Sequence, residues 1–228
     1  MERTRARTLI VGNGRGTVRA ENLVMTALGS EFDLVIADEE PVRVNLPVVG
    51  RHMVSNALLA SGAGHALGMT AEEIAGGLNS AVLTSGRLRA FVNNGVTIFD
   101  DTYNANPESV TAAIDTLTEL NDPEITAGDK YVVLGHMAEL GKHADGAHEE
   151  IGQLAARREI YTVSVGELAK GITNGALAAG GRAKHFNKKD EAADWLQSVC
   201  VSGDVVLFKG SRSAGMEKIM NQAFSKTN

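Results

Sequence analysis

Cysteine is nearly absent from the sequence: Cys200 stands alone among 228 residues. No disulfide can close within the chain, which fits a reducing, cytoplasmic compartment. Long apolar runs are missing too. A membrane-spanning helix needs about 18 or more uninterrupted apolar residues, and the most apolar stretch, "VSNALLASGAGHALGM", is broken by Asn56, Gly62, Gly64 and His65. The basic N-terminus "MERTRARTLIV" has too short an apolar part for a signal peptide, and no small-residue cleavage site follows it. Positive charge is not in excess. At a net charge of −6, non-specific binding to nucleic acid or anionic lipid is not expected. Low-complexity segments and internal repeats are also lacking. What is present is a hydrophobic share of 43%, enough for a core in one large domain or two modest ones.

The first stretch reads as short β elements, "RTLIV", "FDLVIA" and "VRVNLPV", separated by glycine and charged residues. A helix over about 51–66 follows, with Val54, Leu58, Leu59 and Ala66 near helical spacing. A second helix starts in "MTAEEIAGGL", where Thr70 and Glu73 form a capping box. From Gly86 the pattern becomes regular. "RLRAFV" and "VTIFDD" flank "NNG", a hairpin signal. "KYVVLG", "IYTVSVG" and "DVVLFKG" then read as buried parallel strands, with "RAKHF" a weaker one, and helices fit about 107–120, 144–158, 167–179, 189–199 and 213–224. Alternating β and α at this spacing predicts a doubly wound α/β domain. A boundary near residue 85, at "LTSGR", divides the chain into 1–85 and 86–228.

In such a sheet, ligands bind beyond the carboxyl ends of the strands. "DDTYNANP", "LGHMAELG" and "FKGSRS" fall there. Short polar side chains at a strand end can hydrogen-bond ribose, phosphate or metal-bound water. They can equally serve structure, since Asn106-Pro107 also fits an N-cap and first-turn pair. Adjacent aspartates repel unless something offsets them or one faces solvent. The glycines of "GNGRGT" lack both the lysine ending of a phosphate loop and the dinucleotide spacing, so they read as a β-turn. His52 and Asn56 share a helix face near its start, where anions are favoured, although such a pair also suits a structural role. His136, His143 and His148 match no zinc spacing, and no metal is assigned to them.

Taken in order, "LPVVGRHMVSNALLA", "SGRL", "IFDDTYNANPES", "VVLGHMAELG" and "VVLFKGSR" resemble the Mur ligases, ATP-dependent peptide ligases of cell-wall synthesis. "YNANP" and "GxMxELG" resemble the member that adds D-alanyl-D-alanine to UDP-MurNAc-tripeptide. The resemblance covers essentially the whole chain. It implies that 1–85 is the end of the family's central ATPase domain and that 86–228 is its Rossmann-like, mainly parallel C-terminal domain. The family's UDP-sugar domain and its "GTNGKT"-type phosphate loop have no counterpart, so a fragment of a longer ligase, inactive alone, is expected.

The implied chemistry uses ATP and Mg²⁺, with most metal ligands expected outside this chain. ATP phosphorylates the tripeptide carboxylate, and the amine of D-alanyl-D-alanine attacks the resulting acyl phosphate. By the same resemblance Asn56 contacts adenine and His52 lies near the phosphates. Arg87 reaches ATP from an interdomain hinge, unless it is a surface arginine paired with a nearby acid. Asp101 accepts from the ribose hydroxyls, and Tyr103, Asn104 and Asn106 line the nucleotide cleft or hold its loop. Lys209, Ser211 and Arg212 face the peptide substrate. Two positions depart from the family pattern. Met53 replaces a common asparagine and weakens the polar network of its helix, and His136 stands where an acid is common, which removes the basis for a charged role there. The other readings are a nucleotide- or peptide-binding module without catalysis and a superfamily ligase of the folylpolyglutamate or cyanophycin synthetase type.

Overall fold

The structure, a computed structural model, describes residues 8–26, 28–82, 85–120 and 127–224. The chain divides into two compact units, residues 1–82 and 83–228.

In the first unit, β1 (Val11–Asn13), β2 (Val18–Met25), β3 (Ser30–Ile36) and β4 (Val42–Leu46) form one sheet in that order. β1 pairs parallel with β2, and the remaining pairs are antiparallel. Two helices follow, α1 (Arg51–Ala66) and α2 (Ala71–Asn79). The expected capping box opens α2: Glu73 N–H donates to Thr70 Oγ1 at 3.2 Å, and Thr70 N–H donates to Glu73 Oε2 at 3.0 Å. Phe32, Leu34, Val44, Val54, Leu58 and Ile74 are buried here.

Two strand expectations need correction. "RTLIV" becomes regular only at Val11. β2 was not expected, because its alternation is interrupted: the register with β3 shifts between Glu21 and Val24, and Asn22 there adopts a φ of 51°. Such a bulge sends the following side chains to the opposite face and erases the period-two signal. In "GNGRGT", Gly12 and Asn13 end β1, and residues 14–17 form the turn and bend that lead to β2.

The second unit holds β5 (Arg89–Asn93), β6 (Val96–Asp101), α3 (Pro107–Glu119), β7 (Lys130–Leu134), α4 (Ala144–Arg157), β8 (Tyr161–Val165), α5 (Lys170–Ala178), β9 (Ala183–Phe186), α6 (Lys189–Val199), β10 (Val205–Lys209) and α7 (Glu217–Ala223). Its sheet runs β5-β6-β10-β7-β8-β9, parallel throughout except for β5. The β5–β6 hairpin turns at Asn94 and Gly95, with φ of 50° and 80°, the positive pair that a two-residue turn requires.

Helices cover both faces of this sheet, which is why its central strands are almost continuously apolar. Ile98, Val133, Val163, Val206 and Phe208 pack with Leu196 of α6 and Ile219 and Met220 of α7. Phe99, Val132 and Leu207, one residue along, are fully buried too, and strand alternation turns them to the other face. That face is served by α3, α4 and α5. Two expected helices start later than predicted. A 3-10 turn at Glu167–Ala169 precedes α5, and one at Arg212–Ala214 precedes α7.

Candidate functional site

Strand order in the second unit reverses beside β7. The chain runs outward from β7 through α4 to β8 and α5 to β9, then returns through α6 to β10 on the other flank of β7. The loops that follow β7 and β10 therefore diverge, and a crevice opens between them. A cleft of about 630 Å³ lies there. Its walls are Tyr103–Asn106 after β6, Ala138–Leu140 after β7, and Ser211–Ser213 after β10.

Sheet register builds the centre of this region. Lys209 is paired directly with Asp101 across the parallel β10–β6 ladder, so their side chains share a face. Lys209 Nζ donates to Asp101 Oδ2 at 2.6 Å and to the Asn104 carbonyl at 3.0 Å. The side chains are only 4% and 16% exposed, so this is a largely desolvated, charge-assisted pair. One ammonium thus ties together the end of β6 and the loop that follows it.

Asp100 does different work on the opposite face. It is buried and accepts from Thr102 Oγ1 at 2.7 Å, Gly86 N–H at 3.1 Å and Thr102 N–H at 3.3 Å. Gly86 N–H is brought there by a φ of 81°, and a Cβ on Gly86 would lie 2.9 Å from Tyr103 N. Glycine is needed at that approach. The adjacent aspartates are therefore separated by strand alternation and satisfied by different partners.

The loop after β6 is preorganised. Asn106 caps α3, its Oδ1 accepting Ser109 N–H at 2.8 Å while Ser109 Oγ accepts Asn106 N–H at 3.1 Å. Asn104 Oδ1 accepts Ala105 N–H at 2.9 Å. Tyr103 is exposed, and the Arg87 guanidinium lies 4.5 Å from its ring centroid. After β10, Ser211 is buried with its Oγ 3.1 Å from Ser213 Oγ, and Arg212 projects into solvent. Eight of the expected residues thus belong to this one unit: Arg87, Asp101, Tyr103, Asn104, Asn106, Lys209, Ser211 and Arg212. His52, half-buried, and Asn56, exposed, lie on the first turns of α1 in the other unit. No side-chain cap closes that helix start, and Asn56 Nδ2 approaches Met53 Sδ at 3.9 Å.

The wall after β7 contains residues to which the sequence reading gave no role. His136 Nε2 lies 3.0 Å from Ser213 Oγ, and burial, with Lys189 nearby, lowers the His136 pKa. His148, on α4, accepts Met137 N–H at 2.9 Å through Nε2. Its pKa is lowered by burial, an effect opposed by a hydrogen bond to the Ala144 backbone. "GxMxELG" marked this loop, but nothing in the sequence tied it to a histidine eleven residues downstream of Met137. Among the described residues, no group of three or more His, Cys, Asp or Glu is placed to hold a metal ion. Among the same residues, no helix is long and apolar enough to cross a membrane.

Residues 86–212, more than half of the chain, match the family described as "Mur ligase, glutamate ligase domain". The chain belongs to the Mur ligase family. One relative is the UDP-N-acetylmuramoyl-tripeptide–D-alanyl-D-alanine ligase of Escherichia coli (strain K12), 35% identical over 205 residues, which are 88% of this chain and 43% of that protein. The ligase of the same name from Bacillus subtilis (strain 168) is 36% identical over 185 residues, 77% of this chain and 38% of that one. A crystal structure of MurF from Acinetobacter baumannii superposes with a TM-score of 0.80 at 32% identity, covering 94% of this chain and 46% of that one. The MurF ligase of Thermotoga maritima in complex with ADP shares the fold, with a TM-score of 0.78 at 24% identity over 96% of this chain and 48% of that one. This Mur ligase chain spans less than half the length of these relatives.

Proposed function

We propose that this chain works within an ATP-dependent peptide ligase of the cytoplasm that joins D-alanyl-D-alanine to UDP-MurNAc-tripeptide in peptidoglycan synthesis. What supports this most is that ligases bearing that name are 35% and 36% identical to it over 88% and 77% of its length. The second unit supplies the C-terminal Rossmann-like domain of such an enzyme, and the first supplies the end of its central domain.

The donor set of the cleft suits a nucleotide beside a peptide. Asp101, oriented by Lys209 on one oxygen, takes ribose hydroxyls in this reading. Tyr103, Asn104 and Asn106 form the wall on which the nucleoside rests. The Arg87 guanidinium, 4.5 Å from the Tyr103 ring centroid, offers a planar fork for phosphate. Asn56 and His52, on α1 of the first unit, are assigned to adenine and phosphates on the family resemblance alone. Ser211 and Arg212 take the peptide side. Lys209, whose ammonium already serves Asp101 and Asn104, acts on substrate mainly through those partners. Bound ATP supplies the phosphoryl group that activates the tripeptide carboxylate. Mg²⁺ finds no cluster of three ligating side chains among the described residues, so its ligands are assigned to the phosphates and to other parts of the ligase. Positioning and charge stabilisation carry phosphoryl transfer, and the chain alone is therefore inactive in ligation.

The test is phosphate release by the complete ligase polypeptide. Release that requires both UDP-MurNAc-tripeptide and D-alanyl-D-alanine is the expected result. Nucleotide binding without release would make this a binding module. Release driven instead by glutamate or another single amino acid would place it with a different ligase of the superfamily.

A further inference from the structure

The loop after β7 is pinned at three successive residues. Gly135 N–H donates to the Lys209 carbonyl at 2.9 Å, and the His136 carbonyl accepts Ser211 N–H at 2.9 Å. These two bonds fasten the loop to the end of β10. The third runs the other way: Met137 N–H donates to His148 Nε2 on α4. Both Met137 and His148 are 3% exposed, so no water stands ready to replace that acceptor. Immediately beyond the third pin, Ala138, Glu139 and Leu140 form one wall of the cleft. Glu139 there holds a φ of 64°, an uncommon conformation for a residue other than glycine, so the path of the loop is sharply set.

The protonation state of the ring follows from its partner. A backbone N–H can only donate, so Nε2 carries the lone pair and the neutral ring carries its proton on Nδ1. The Ala144 backbone, one helical turn earlier, favours a proton on the ring, which suits that tautomer. Burial favours the neutral ring as well. His148 is thus an acceptor aimed at the Met137 amide.

We propose that His148 is a positioning residue: by accepting Met137 N–H it holds the loop after β7 as a wall of the cleft and sets how tightly the peptide substrates bind. The peptide side is singled out because the loop is bonded to the Ser211 amide, whereas on the nucleotide side Asp101 and Asn104 are held by the Lys209 side chain and the loop meets Lys209 only at its backbone carbonyl. Only the choice of substrate rests on the ligase function proposed above; the anchoring of the loop does not.

The variants are His148→Leu, which fills the space without an acceptor, and His148→Gln, whose terminal amide oxygen can reach the place of Nε2. Amide hydrogen exchange at Met137, measured on this chain, reads the anchor directly. Protection is expected in the wild type, lost in His148→Leu and retained in His148→Gln. In the complete ligase, His148→Leu should raise the KM for peptide substrates roughly tenfold, the loss expected for one buried hydrogen bond. The KM for ATP should change much less, and His148→Gln should restore the peptide KM. Unchanged protection in His148→Leu would overturn the anchor. Lost protection with an unchanged peptide KM, or equal rises for ATP and peptide, would overturn the positioning role. If the wild type ligates nothing, the ligase function fails, and the exchange experiment still decides whether His148 holds the loop.

Discussion

The sheet of residues 1–82 is four-stranded and largely antiparallel, whereas that of residues 83–228 is six-stranded and parallel but for β5. In a parallel sheet every carboxyl end points the same way, so loops distant in sequence converge at one rim. Residues 103–106, 138–140 and 211–213 meet in this manner. Their polar groups must be mutually paired to be buried there, as Asp101, Asn104 and Lys209 are. Antiparallel strands alternate in direction and build no such rim. The candidates of the first unit, His52 and Asn56, project instead from the start of a helix. The polar residues at the rim of the second unit therefore hold the fold as well as serving the proposed site, while Asn56, exposed on its helix, carries little of the fold.

That contrast can be broken by separating stability from activity. The largest effect is expected for Lys209→Met, which leaves Asp101 charged, largely buried and without its counter-ion. A loss of about 3 kcal/mol is predicted, read by urea unfolding of the chain; a loss below about 1 kcal/mol would mean that water replaces the ammonium. Next is Asp100→Asn, which removes the charge from an acceptor of several buried hydrogen bonds. About 2 kcal/mol should be lost, seen as a lower urea midpoint at unchanged slope.

A smaller, pH-dependent effect belongs to His148. Its folded pKa lies below its ordinary value of 6.5, so the unfolded chain takes up the proton first as pH falls. Stability from the neutral ring is complete above about pH 6.5 and declines from there toward the lowered folded value. Asp145 favours protonation and His136 opposes it, while Glu139, Glu149 and Lys170 line the adjoining cleft. His148→Gln should flatten that part of the stability profile, and a slope identical to wild type would assign it to other groups. Least of all, Asn56→Ala should change stability by less than about 0.5 kcal/mol, although it should raise the KM for ATP in the complete ligase. A large loss of stability would give Asn56 a structural role.

Much of the second unit was legible because burial on both faces makes its strands continuous apolar runs, and "NNG" announced its hairpin. The capping roles of Thr70 and Asn106 were legible for a similar reason, since a cap is a local pattern of three or four residues. β2 was not, because its bulge at Asn22 breaks the alternation on which strand reading depends. The separation of Asp100 from Asp101 follows from β6 alone, since adjacent residues of a strand face opposite ways. The partner of Asp101 remained hidden: Lys209 lies 108 residues away, and only the β6–β10 register brings the two together. The family resemblance set Lys209 facing the peptide. His148 was hidden in the same way, its partner being a backbone amide that leaves no residue-type signature.

The division of labour between the adjacent aspartates is tested most directly by the KM for ATP of the complete ligase. Asp101→Ala should raise that KM tenfold or more, since a charge-assisted hydrogen bond to ribose is worth roughly 1.5–3 kcal/mol. Asp100→Ala, measured on the folded enzyme, should lower stability and leave the KM for ATP near wild type. Equal effects, or a larger rise for Asp100→Ala, would contradict the assignment of the nucleotide to the face that Asp101 shares with Lys209.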